Sequence, residues 1–186
     1  HVLLAGQTGS GKSSHLQALV LSVAWATVPG TECEMIFVDP KQVDLAPMSS
    51  LPHVTRPVAT TEADALALVA DLEEEVNFRY SEFRSASVAD LSAYNVWASA
   101  TEGEEPMPRI LVVIDELAML LSGPQKETLG DGLTRLAQIS RGAGIHIVAA
   151  TQRPSAVAVP TQLRSQLTTR VACRVATAAD SRIVLD

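Results

Sequence analysis

Short apolar runs rich in Val, Ile and Ala alternate along this chain with longer stretches whose apolar positions recur every three or four residues. The short runs predict strands at Val2–Ala5, Glu34–Asp39, Ile110–Asp115, Ile145–Thr151 and Arg170–Val175. The longer stretches predict helices over Lys12–Ala26, Thr61–Arg84, Val88–Ala98 and Lys126–Arg141. Strands that are apolar at nearly every position are buried on both faces, so the fold class is α/β: a mostly parallel central sheet flanked by helices on both faces. In the second helix Leu68, Leu72, Val76, Tyr80 and Phe83 share one stripe. Thr61 and Asp64 have the spacing of a capping pair there, and Glu73-Glu74-Glu75 reads as solvated face. Thr101–Pro108 is a polar, proline-bounded loop. Pro40–Pro52 follows the second strand and belongs at the sheet's carboxyl edge, where open α/β sheets bind ligands.

The link between the first strand and the first helix carries the strongest chemistry. Gly6-Gln7-Thr8-Gly9-Ser10-Gly11-Lys12-Ser13 matches G-x-x-x-x-G-K-S/T in the strand–loop–helix setting that a P-loop requires. Its glycines let successive N–H groups aim at a phosphate, Lys12 reaches the outer phosphates, and the Ser13 hydroxyl can ligate Mg²⁺. Residues Gly6 through Ser13, with Ser14 beside them, are therefore the predicted nucleotide-binding set. ATP and Mg²⁺ are the predicted ligands.

A second segment completes the pattern. Arg109–Glu116 is an apolar strand ending in two adjacent carboxylates, as a Walker B segment does. Asp115 is the predicted second metal ligand, and Glu116 the general base for the attacking water. At the end of another apolar strand, Gln152 is placed to bond the terminal phosphate or the water and to report hydrolysis. Leu121-Ser122-Gly123-Pro124-Gln125 is similar to the Leu-Ser-Gly-Gly-Gln signature of ABC transporters, but it follows the acidic strand instead of preceding it. Pro124 also lacks the N–H that the signature needs. The segment reads as a loop capping the next helix.

Length and charge narrow the picture. At 186 residues and 47% hydrophobic, the chain suits a single domain spanning residues 1–186. The net charge of −7 argues against a surface that coats nucleic acid throughout, yet from Gly132 onward seven arginines face two aspartates, leaving −12 for the rest. Cys33 and Cys173 stand alone and read as thiols of a reducing cytosol, and no apolar run is long enough to span a membrane. The chain starts directly on its first strand, as a fragment of a longer protein does.

With these segments in place, the chain resembles the motor domain of the FtsK/SpoIIIE family of hexameric DNA translocases. Ala5–Ser13 resembles the family's A-G-x-T-G-S-G-K-S, and Phe37-Val38-Asp39-Pro40-Lys41 its I-D-P-K. Arg141–His146 with Ala150–Ser155 resembles R-A-x-G-I-H and A-T-Q-R-P-S, and Asp180–Asp186 resembles D-S-R-x-I-L-D. Gln7 departs from the family's usual Thr at a position that contributes mainly backbone. The resemblance implies a RecA-like P-loop NTPase core, a hexameric ring of self-associated subunits, ATP hydrolysis between neighbours and double-stranded DNA moved through the pore. It further implies an arginine supplied in trans. Arg141 is the expected finger, with Arg170, Arg174 and Arg182 as alternatives; the role of Lys41 stays open. The family's membrane-spanning leader, small preceding subdomain and winged-helix domain lie outside these residues, so a membrane is reached only through regions beyond this chain, and the location implied is cytoplasmic. The competing readings are a type VII protein-secretion ATPase built on the same core and a regulatory module that binds nucleotide without hydrolysis. The Ala-Thr-Gln-Arg-Pro-Ser string favours DNA, and Lys12, Asp115 and Glu116 together favour hydrolysis.

Overall fold

The computed structural model describes residues 1–155 and 158–185. Asp186, the last residue of the terminal motif, lies outside the described residues. The strands are β1 (Val2–Ala5), β2 (Cys33–Val38), β3 (Arg109–Ile114), β4 (Ile145–Thr151) and β5 (Thr169–Ala172). The helices are α1 (Lys12–Ala26), α2 (Glu62–Ser85), α3 (Leu91–Ser99), α4 (Leu117–Leu120), α5 (Lys126–Ile139), α6 (Thr161–Gln166) and α7 (Ala178–Leu185). All strand pairings are parallel, in the order β2-β3-β4-β1-β5. Because β4 lies between β1 and β3, the carboxyl end of β4 falls between the P-loop and the acidic pair. That position is what matters for the site.

Alternate residues of the strands feed two cores, as the period of two demands. Leu3, Ile36, Val112, Ile114, Ile147 and Ala149 pack under α2 and α5, while Leu4, Met35, Phe37, Val113, Val148 and Ala150 pack under α1 and the 45–58 segment. Both faces are therefore covered, as predicted. The exception is β5, expected to be buried on both sides: among the described residues it is an edge strand paired with β1 alone, and most of its residues are exposed. Helices α4, α6 and α7 were not predicted. The first two are only 4 and 6 residues long, too short for an apolar period to register. Among the described residues no helix is long and apolar enough to cross a membrane.

The capping pair of α2 is present: the Thr61 hydroxyl accepts from the Asp64 N–H, and the Asp64 carboxylate accepts from the Thr61 N–H. The Leu121–Gln125 loop does not cap α5 with a side chain of its own; the carboxylate of Glu62, from α2, accepts the Gln125 N–H instead. An unpredicted buried cation ties α2 to the amino edge of the sheet. Arg79 is 2% exposed, pairs with Glu75 at 2.6 Å, and donates to the carbonyls of Pro108 and Ala143, which lead into β3 and β4. Arg79→Met leaves both carbonyls without this donor, so we expect it to cost about 2–4 kcal/mol, read as a lower urea midpoint with unchanged slope.

Candidate nucleotide-hydrolysis site

The loop from Gly6 to Gly11 leaves β1 and enters α1 without a side-chain cap. Gly11 has φ of 91°, a left-handed conformation that side chains rarely adopt, and from it the helix begins directly at Lys12. The first N–H groups of α1 thus have no side-chain acceptor, and the positive end of the helix dipole adds to their pull on an anion. At Gly6 a Cβ would fall 2.7 Å from the Cβ of Cys173, because the chain leaving β5 runs against the loop. The Gln7 N–H donates to the Arg174 carbonyl at 2.9 Å, so Arg174 stands beside its own P-loop.

Lys12 is buried, and its ammonium donates to Asp115 Oδ1 at 2.8 Å and to the Asp115 carbonyl at 3.0 Å. Asp115 is fully buried just past β3, and its Oδ2 has no hydrogen-bond partner among the described residues. Burial pushes the Asp115 carboxyl above the ordinary carboxylate range, while the Lys12 ammonium pulls it back. Ser13 Oγ donates to Asp44 Oδ2 at 2.6 Å, leaving its oxygen lone pairs for another partner. A neutral hydroxyl oxygen and an orphaned carboxylate oxygen are hard ligands of the kind Mg²⁺ takes alongside phosphate and water, so the residues present fit that ion.

Glu116 is 5% exposed, and its carboxylate is met by three donors. Thr151 Oγ1 donates to Oε1 at 2.8 Å and the Gln152 N–H at 3.0 Å, while Lys41 Nζ donates to Oε2 at 3.0 Å. The Gln152 side-chain oxygen in turn accepts from Thr8 Oγ1 at 2.9 Å. Gln152 thereby joins the P-loop to Glu116, a link made possible by the position of β4. A cavity of about 250 Å³ opens on this cluster, lined by Lys41, Glu116, Met119, Ser122, Gln152 and Arg153. A larger cleft of about 970 Å³ lies beside Ala26, Cys33, Arg109 and His146 and holds none of the predicted site residues.

Arg141 does not join this cluster. It is exposed in the turn between α5 and β4, at the amino edge of the sheet. The 7 residues of β4 separate it from the carboxyl edge, a span of roughly 20 Å. It cannot serve the P-loop of its own subunit. Three other arginines of the second half have structural partners: Arg135 pairs with Glu73, Arg164 bonds the Ile183 carbonyl, and Arg170 bonds the Arg164 carbonyl. Three residues at the site had no role assigned from sequence, namely Asp39, Asp44 and Thr151. Asp39 and Asp44 flank or belong to the irregular stretch after β2, whose place at the ligand-binding edge was the signal that could have found them.

Set against known proteins, residues 1–156 match the model of the FtsK/SpoIIIE family. The DNA translocase FtsK of Helicobacter pylori strain J99 is 36% identical over the whole chain, which covers 22% of that protein. The DNA translocase SftA of Bacillus subtilis is 35% identical, again over the whole chain, which covers 19% of it. The chain thus spans about a fifth of the length of these relatives. Among solved structures, the pCW3 conjugation coupling protein TcpA, in a monomer form with ATPγS, superposes with a TM-score of 0.80 at 31% identity, all of this chain covering 51% of that one. The cytoplasmic domain of the type VII secretion ATPase EccC from Thermomonospora curvata gives 0.83 at 29% identity, all of this chain covering 22% of it. The parallel sheet, the P-loop and these likenesses agree, and the chain belongs to the FtsK/SpoIIIE family of P-loop ATPases.

Proposed function

We propose that this chain is the ATP-hydrolysing motor core of a double-stranded DNA translocase, working in chromosome segregation or conjugative transfer as one subunit of a hexameric ring. The observation that carries this reading is the convergence at the P-loop of two neighbouring hydrogen-bonded groups, Lys12 with Asp115 and Glu116 with Gln152, the second tied to Thr8 of the loop. Such a cluster has the parts that phosphoryl transfer to water requires, and a module that merely binds nucleotide has no use for Glu116. When ATP enters, the Lys12 ammonium exchanges Asp115 for the outer phosphates. Ser13 and Asp115 would hold Mg²⁺, whose charge would offset that of the phosphates. Glu116 takes a proton from the attacking water, and Gln152 carries the state of the terminal phosphate to Thr8 and β4. Arg141 of one subunit supplies positive charge to the transition state in the next.

A type VII secretion role rests on the likeness to EccC, and one comparison separates the two. In the full-length protein that carries this chain, duplex DNA is expected to raise ATP turnover at least severalfold, with a salt dependence that reflects released counterions. Turnover that ignores DNA and rises with an exported polypeptide overturns the DNA reading.

A further inference from the structure

The segment after β2 is built with more care than a connecting loop needs. Asp39, fully buried, accepts the Lys41 N–H at 3.1 Å and the Gln42 N–H at 2.8 Å on Oδ1, and the Leu45 N–H at 3.0 Å on Oδ2. Gln42 sits at φ of 58°, a left-handed conformation unusual for a side-chain-bearing residue, and Leu45 anchors the far end at 0% exposure. The result is a rigid turn that delivers two charged side chains into the nucleotide site. Asp44 reaches Ser13, and Lys41 reaches Glu116 at 3.0 Å with Asp115 Oδ2 at 3.9 Å.

Each carboxylate of the acidic pair therefore has its own lysine: Asp115 has Lys12, and Glu116 has Lys41. Lys41 is 29% exposed and Glu116 7% by side chain, so the second pair is largely shielded from water. A carboxylate whose Oε2 is held by the Lys41 ammonium is a weaker proton acceptor than one released from it. Its water must lie against the terminal phosphate, so that phosphate has to arrive within reach of the Lys41 ammonium. A terminal phosphate is a stronger competitor for an ammonium than a single carboxylate, because it brings more charge and more acceptor oxygens. A diphosphate ends one phosphate short and offers no such competition.

We propose that Lys41 is the residue by which the site tells ATP from ADP: it holds Glu116 until a γ-phosphate draws it away, and so releases the base only when there is something to hydrolyse. This inference rests on the nucleotide reading above and concerns a positioning residue, not the base itself. It also accounts for a turn so firmly held, since a switch between two acceptors needs its backbone fixed.

The test is nucleotide affinity, measured with Mg²⁺ in the full-length protein for ADP and for ATPγS. Lys41→Met is expected to weaken ATPγS by about tenfold and ADP by less than about twofold, which also shows that the site is folded; Lys41→Arg, which keeps the charge, restores most of the difference. Glu116→Gln, which removes the competing carboxylate, is expected to tighten ATPγS severalfold with ADP unchanged. If Lys41→Met weakens both nucleotides alike or neither, and Glu116→Gln leaves their ratio as it was, Lys41 serves only to neutralise a buried carboxylate and the inference fails alone. If the wild type binds neither nucleotide, the nucleotide site fails and takes this inference with it.

Discussion

Glu116→Gln is expected to lower steady-state ATP turnover by about 100-fold or more while ADP still binds within about twofold of the wild type. The amide oxygen can keep the bonds from Thr151 Oγ1 and the Gln152 N–H, so the geometry around the P-loop survives. What is lost is the proposed acceptor for the proton of the attacking water, since Asp115 is paired with Lys12 and proposed for the metal. The replacement also turns an amide toward Lys41 Nζ, where a carboxylate oxygen stood at 3.0 Å. Turnover left unchanged by this substitution removes Glu116 from the chemistry.

Arg141→Ala is expected to give subunits that bind ATP normally and hydrolyse very little of it, by about 1000-fold less where the finger is wholly lost. Because Arg141 lies beyond the far end of β4, its loss cannot disturb the P-loop of its own subunit. Lys12→Ala fails for the opposite reason, losing the phosphate contact and keeping the finger. Mixed in equal amounts, the two inactive proteins place an intact Lys12 opposite an intact Arg141 at about a quarter of random interfaces, and activity returns there. No recovery in the mixture, with rings confirmed by size, assigns the finger to another arginine. Arg174 is a poor substitute, since it stands beside the P-loop of its own subunit.

Most strands and most helix limits were legible because the apolar period is strong over long segments. The predicted bounds of α1 and β4 coincide with the observed ones, and β2, β3 and α2 shift by one residue. What escaped has physical reasons. The exposure of β5 depends on which strand lies next to it, a property of the sheet that its own apolar residues do not encode. Arg79 was hidden because an arginine beside an apolar stripe reads as surface until the carbonyls of Pro108 and Ala143 are seen to converge on it.

At the site the P-loop and the acidic pair were readable as local motifs, but their connections were not. Asp44 meets Ser13 across 31 residues, Thr151 meets Glu116 across 35, and Lys41 meets Glu116 across 75. Such partners are set by the sheet order, which brings the ends of β1, β2, β3 and β4 to one edge. Ser13, expected to share a metal with Asp115, gives its hydroxyl proton to Asp44, a partner that no local motif announces, and keeps its oxygen lone pairs.

In the proposed ring, one subunit holds half of the hydrolytic site and its neighbour the other half. The decisive measurement is ATP turnover per subunit in the full-length protein across a dilution series that spans ring assembly. Turnover per subunit is expected to be near zero in the dilute, dissociated protein and to rise with the fraction of assembled rings, while ATPγS binding per subunit is already present at low concentration. A turnover per subunit that stays constant and high through dissociation contradicts the account, because it places the complete site within a single chain.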